Sequence, residues 1–193
     1  MVIQRGFRLL LLLSLVALLG SVFPLEVAAQ FPSQGQGGAP APGGGFPSGG
    51  AGRGGFYQGQ AYEFTFSWGS NWTLVDEGAQ QGLEALTVSN GVSTVTLGGF
   101  DMQDTPQNVV TQTANELGGG QWVFNTVTAD EPTYAGAYFD TPQGELAYFI
   151  YVEQTGPSTG VFVIWEFPVA QYEIEHAAVF DDLLPGFSYF VAA

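Results

Sequence analysis

The sequence contains no cysteine. Disulfides, thiolate metal sites, cysteine nucleophiles and a lipid anchor on an N-terminal cysteine are therefore all excluded. Lysine is missing as well, and the three arginines, Arg5, Arg8 and Arg53, all lie early in the chain. From Phe56 to Ala193 there is no Lys or Arg, yet this stretch holds every Asp and Glu except Glu26. Nucleic-acid binding depends on basic side chains that displace counterions from phosphates, so nucleic acid is not an expected partner. An anionic membrane surface is ruled out on the same ground. Within the folded part, only His176 or the N-terminus could complete a salt bridge. Apolar burial has to hold the fold, and the aromatic content of 15% supplies it, since each large ring buries roughly 150–250 Å².

The chain divides into three parts. Residues 1–29 read as a secretory signal: Arg5 and Arg8 precede an apolar core from Leu9 to Leu19, and Val27-Ala28-Ala29 offers small residues for cleavage before Gln30. An uncleaved anchor is the alternative, but the run is short against the ~20 residues of a membrane span. Either way the expected location is secreted or extracytoplasmic. Residues 30–55 are rich in Gly, Pro, Ala, Ser and Gln and form a linker expected to be disordered, too poor in apolar residues to fold. Gly50, Gly52 and Gly55 match a dinucleotide-binding glycine pattern, but no strand precedes them and no helix follows, so the match carries nothing. Residues 56–193 form the one expected domain.

Hydrophobic periodicity predicts an α+β domain. Tyr62 to Trp68 alternates aromatic with polar residues, as a strand with one buried face does. Trp72 to Val75 is a short second strand. Leu83 to Ser89 and Val92 to Leu97 flank Asn90-Gly91, a strong hairpin signal, and Gly98-Gly99 is expected to end that hairpin. Thr105 as N-cap with Pro106 at the first helical position predicts a helix over Val110, Ala114 and Leu117. Strands follow at Trp122 to Val127 and Thr133 to Phe139. Leu146 to Gln154 and Val161 to Phe167 flank Thr155 to Gly160 and show no clean alternation, which marks a central hairpin covered on both faces. A last helix, about Gln171 to Leu184, puts Tyr172, His176, Val179, Phe180, Leu183 and Leu184 on one side. The sum is a central antiparallel sheet of about six or seven strands with a helix on each face.

Tyr62-Glu63-Phe64-Thr65-Phe66-Ser67-Trp68 followed by Asn71-Trp72 resembles the opening of PsbP-like domains. A closing helix that runs into Leu183-Leu184-Pro185-Gly186-Phe187 is similar to the end of that family. The resemblance covers roughly residues 56–190 and implies an α-β-α sandwich, a fold shared with a Ran-binding protein. It also implies a non-enzymatic, partner-binding habit, and secreted bacterial domains of this kind are known without an assigned role.

Three chemistries merit testing against the residues. Gly156-Pro157-Ser158-Thr159-Gly160 matches the nucleophile-elbow pattern, but an elbow needs a helix after the serine and here a strand follows. A hairpin turn is the plainer account. His176 is the sole candidate general base, and it lies on the apolar side of the last helix, where packing explains it. Asp101 with Asp104, Asp130 with Glu131, and Asp181 with Asp182 are the local carboxylate pairs and the calcium candidates, although none has the spacing of a calcium loop. No catalytic or cofactor-binding residue is assigned, and calcium is the one cofactor these carboxylates suggest. The leading expectation is a non-catalytic secreted or cell-surface binding module with an extracytoplasmic protein or envelope partner. A calcium-dependent or carbohydrate-associated surface protein is the alternative, and a hydrolase comes last.

Overall fold

A computed structural model describes residues 54–118, 123–131, 133–141 and 143–191, with the backbone alone for 123–131. The expected signal and the linker up to Arg53 lie outside the described residues, as does Trp122 of an expected strand.

The strands are β1 (Gly55–Gln58), β2 (Phe64–Trp68), β3 (Thr73–Gln80), β4 (Leu83–Ser89), β5 (Thr94–Asp101), β6 (Val123–Glu131), β7 (Tyr134–Asp140), β8 (Leu146–Gly156), β9 (Thr159–Pro168) and β10 (Phe187–Tyr189). Helix α1 spans Pro106–Gly118. Helix α2 begins at Tyr172–Ala177 and widens into π geometry over Ala178–Leu183. Seven strands form one antiparallel sheet in the order β3-β4-β5-β9-β8-β7-β6, so the β8–β9 hairpin lies at its centre, as expected. The sheet itself is the predicted one, with a helix on each face.

The local signals act as predicted. Asn90 turns the β4–β5 hairpin by accepting the Val92 and Ser93 amides on Oδ1, at 2.9 and 2.7 Å, while Gly91 takes φ +92°. Thr105 Oγ1 accepts the Asn108 amide at the start of α1, and Pro106 follows it into the first turn.

Each face of the large sheet carries its own core. Helix α1 lays Val109, Val110 and Ala114 on Phe100, Ala137, Ile150 and Phe162. On the opposite face α2 brings Val179 and Leu183 onto Leu97, Phe149, Val163 and Trp165. Trp165 is fully buried, stacked on Phe167 at 3.9 Å between ring centroids.

Several features depart from the sequence reading: β1 is unexpected, β3 runs on past Val75 to Gln80, and two more bear on the packing. The opening aromatic strand does not join the large sheet. Phe64–Trp68 is the middle of a second, three-stranded sheet, β1-β2-β10, whose Phe64 and Phe66 share the α2-side core. The partners are short and β10 is far away in sequence, so no local pattern reveals them. The other is that Gly98-Gly99 does not end the hairpin: β5 continues to Asp101. These glycines serve close approach instead. A Cβ on Gly98 would lie 2.0 Å from the Glu84 carbonyl oxygen, and one on Gly99 would lie 2.4 Å from Tyr62 Cβ.

Candidate functional site

The groups able to do acid–base or nucleophilic work are scattered; several have structural partners, whereas Glu116 on α1 has a buried Oε1 without a hydrogen bond, and burial pushes its carboxyl up. Ser158 is exposed in the two-residue turn joining β8 to β9, where its carbonyl accepts the Met102 amide at 2.9 Å. The elbow-like motif is thus a hairpin turn, with strand β9 after it. His176 is half-buried on α2, stacked on Phe180 at 4.4 Å and 12° and edge-on to Trp165. It is one ring in an aromatic cluster that also includes Tyr172.

The carboxylates named from the sequence stay apart. Asp101 is exposed at the end of β5 and accepts the Tyr62 hydroxyl at 2.9 Å. Asp104 is exposed ahead of α1, where the Asn108 side-chain amide (2.8 Å) and the Thr105 amide hold its carboxyl below the usual range. Asp181 and Asp182 are exposed on the π segment of α2. Asp130 and Glu131 end β6, and their side chains lie outside the described residues. Among the described residues, no three His, Asp or Glu side chains gather in a way that could hold a metal ion.

Among the ordered carboxylates that escaped the sequence reading, three tie distant segments together. Glu84 projects from β4 toward the small sheet and is fully buried. It accepts the Gln60 amide at 2.8 and 3.0 Å, the Ala61 amide at 2.8 Å, the Tyr62 amide at 3.3 Å and the Tyr57 hydroxyl at 2.8 Å. Burial pushes this carboxyl up, but those four donors outweigh burial and hold it below its usual value. It ties the β1–β2 loop to the large sheet. Glu153 on β8 accepts the hydroxyls of Tyr151 (2.6 Å) and Tyr189 (2.5 Å), so β10 is tied down too. Burial, then the carboxylate, pushes the Tyr189 hydroxyl up to about 12. Glu175, buried in α2, accepts the Asn90 side-chain amide at 2.8 Å and fastens the helix to the β4–β5 turn. Acidic residues in an acidic sequence look like solvated surface, and only three-dimensional pairing distinguishes these three.

Two concavities stand out among the described residues. One, of about 520 Å³, runs between the β1–β2 connection and Ser188–Phe190, with exposed Glu63 on its rim. The other, of about 130 Å³, follows the edge strand β3: Asp76, Gly78 and Gln80 border a floor of Leu83, Ala85 and Thr87. Residues Val75 to Gln80 are all exposed, and a Cβ on Gly78 would meet nothing within 4 Å.

An antiparallel sheet covered by a helix on each face, with a small sheet beside one helix, defines an α-β-α sandwich with the PsbP-like fold. The likeness is to the solution structure of cyanobacterial PsbP (CyanoP) from Synechocystis sp. PCC 6803, with a TM-score of 0.50 and 12% identity, covering 77% of this chain and 99% of that chain. No family model matches the chain, and no curated protein matches it.

Proposed function

We propose that this protein is a non-catalytic accessory module that works outside the cytoplasm and binds a basic protein partner. One observation carries the reading: the serine, the histidine and the most ordered carboxylates are spent on structure, and what faces solvent is anionic without compensation. Ser158 turns a hairpin, His176 packs in an aromatic cluster, and Glu84 and Glu153 bind loops and tyrosines. Asp76, Glu77, Glu173, Asp181 and Asp182 remain exposed in a domain with no Lys or Arg. A surface of one sign attracts partners of the other and repels copies of itself. The PsbP-like fold fits an accessory role. The signal-like residues 1–29 support export, and no helix among the described residues is long and apolar enough to cross a membrane.

Calorimetric titration of the exported chain with oligolysine and, separately, with calcium tests this. Oligolysine binding that weakens as salt rises supports the reading. Calcium binding with no affinity for oligolysine would favour the calcium-dependent surface protein instead. Esterase activity abolished by Ser158→Ala would restore the hydrolase.

A further inference from the structure

The edge of the large sheet at β3 has the form of a docking strand. Strand β3 pairs with β4 on one side, and no strand among the described residues lies on the other. An edge strand turns alternate N–H and C=O groups outward, a template for one more strand. Proteins block such edges with lysine, proline, bulges or a covering loop. Here lysine and proline are absent, and the register shift falls early, between Leu74 and Asp76, where Val75 is the extra residue. Asp76 Oδ1 accepts the Glu77 amide at 2.9 Å beside that bulge. Beyond it, Glu77 to Gln80 pairs regularly with Leu83 to Leu86. The shallow groove over Leu83 and Ala85 runs alongside this regular stretch, and Gly78 leaves it unobstructed.

Charge selects the occupant. A second copy adding its own β3 would bring two sets of Asp76 and Glu77 together, with no basic residue in either domain to offset them. Like charges across a strand pair are destabilising. An extended segment with Lys or Arg at alternate positions meets the opposite situation. Successive residues of a strand face opposite sides, so its basic side chains would lie on the face of Glu77, and small apolar ones would fit the groove on the face of Asp76 and Gly78. Main-chain hydrogen bonds would then provide affinity, and the side chains selectivity.

We propose that the outer edge of β3, from Asp76 to Gln80, receives an extended Lys- or Arg-bearing segment of the partner protein as an added strand of the large sheet. This rests on the basic-partner reading above and gives that partner a place and a backbone conformation.

The test is an NMR titration of the isotope-labelled exported chain with a synthetic peptide alternating lysine and valine. Oligolysine and a proline-interrupted version of the peptide serve as controls. The expected result is that amide shifts concentrate on Asp76 to Gln80 with the alternating peptide and are weak with the proline-interrupted one. The paired change Asp76→Lys with Glu77→Lys, on exposed side chains, is expected to weaken binding roughly tenfold. Shifts centred on other acidic positions, with β3 unmoved, overturn the docking strand while leaving the basic-partner reading standing. No shift with any cationic peptide overturns both. Concentration-dependent dimerisation with β3 shifts in the absence of peptide would show that a second copy takes the edge, and would also overturn the proposal.

Discussion

Replacing Glu84 with glutamine is the sharpest probe of how the small sheet is held. The carboxylate has no exposed surface and takes four donors: the amides of Gln60, Ala61 and Tyr62 and the hydroxyl of Tyr57. A glutamine keeps the shape, but it loses the charge and turns an NH₂ toward groups that are themselves donors. Hydrogen bonds to a charged acceptor are worth about 1.5–3 kcal/mol each, against about 0.5–1.5 for neutral ones. Gln60 and Ala61 are exposed, so water recovers part of the loss. The expected net cost at pH 7 is about 2–3 kcal/mol, or roughly 6–12 °C in Tm for a domain of this size. The pH dependence is more diagnostic than the cost. Glu84 is held below its unfolded value, so its stabilisation is complete above roughly pH 4–4.5 and is lost as pH falls through the folded pKa. The Tm gap between wild type and Glu84→Gln should therefore be constant from pH 7 to about 5 and close in stronger acid. Differential scanning calorimetry over that range measures both curves. A gap that stays open at low pH, or a variant as stable as wild type at pH 7, would refute the assignment of Glu84 as a charged staple.

Other perturbations follow from the same geometry. Gly98→Ala places a methyl group 2.0 Å from the Glu84 carbonyl oxygen, and it should destabilise by about 1–3 kcal/mol or more in chemical denaturation. Ser158→Ala, in an exposed turn, should stay within about 0.5 kcal/mol of wild type. Raising sodium chloride to about 1 M at pH 7 should increase Tm, because screening to ~3 Å relieves repulsion that no Lys or Arg offsets; an unchanged or falling Tm would mean the carboxylates are individually stabilised.

The sequence disclosed what depends on neighbours along the chain. Asn90-Gly91, Thr105-Pro106 and the unbroken apolar runs of β8 and β9 are each set by backbone geometry or by double-sided burial, and each reads correctly. Gly98-Gly99 misled because glycine has two uses, to turn a chain and to let another chain come close, and only the position of Tyr62 shows which applies. Asp76-Glu77-Gly78 shows no alternation, which is how an exposed edge looks, so sequence pattern stops β3 at Val75 although the strand runs to Gln80. The pairing of β2 with β10, and the donors around Glu84 and Glu153, join distant segments, and local pattern carries no record of them. The β3 edge was illegible for a related reason: being outermost is a property of strand order, not of any one strand.

The small sheet sets an order of events. Its middle strand, β2, pairs with β10, and Phe187 packs against Phe64 and Phe66 at 5.8 and 6.3 Å. Everything between Trp68 and Phe187 has to be synthesised before that pairing can form. Closing so long a loop is slow, and non-local strand pairing is a late step in folding. A chain that has built the large sheet but not yet β10 still lacks the Phe187 ring that packs edge-on to Phe64 and Phe66.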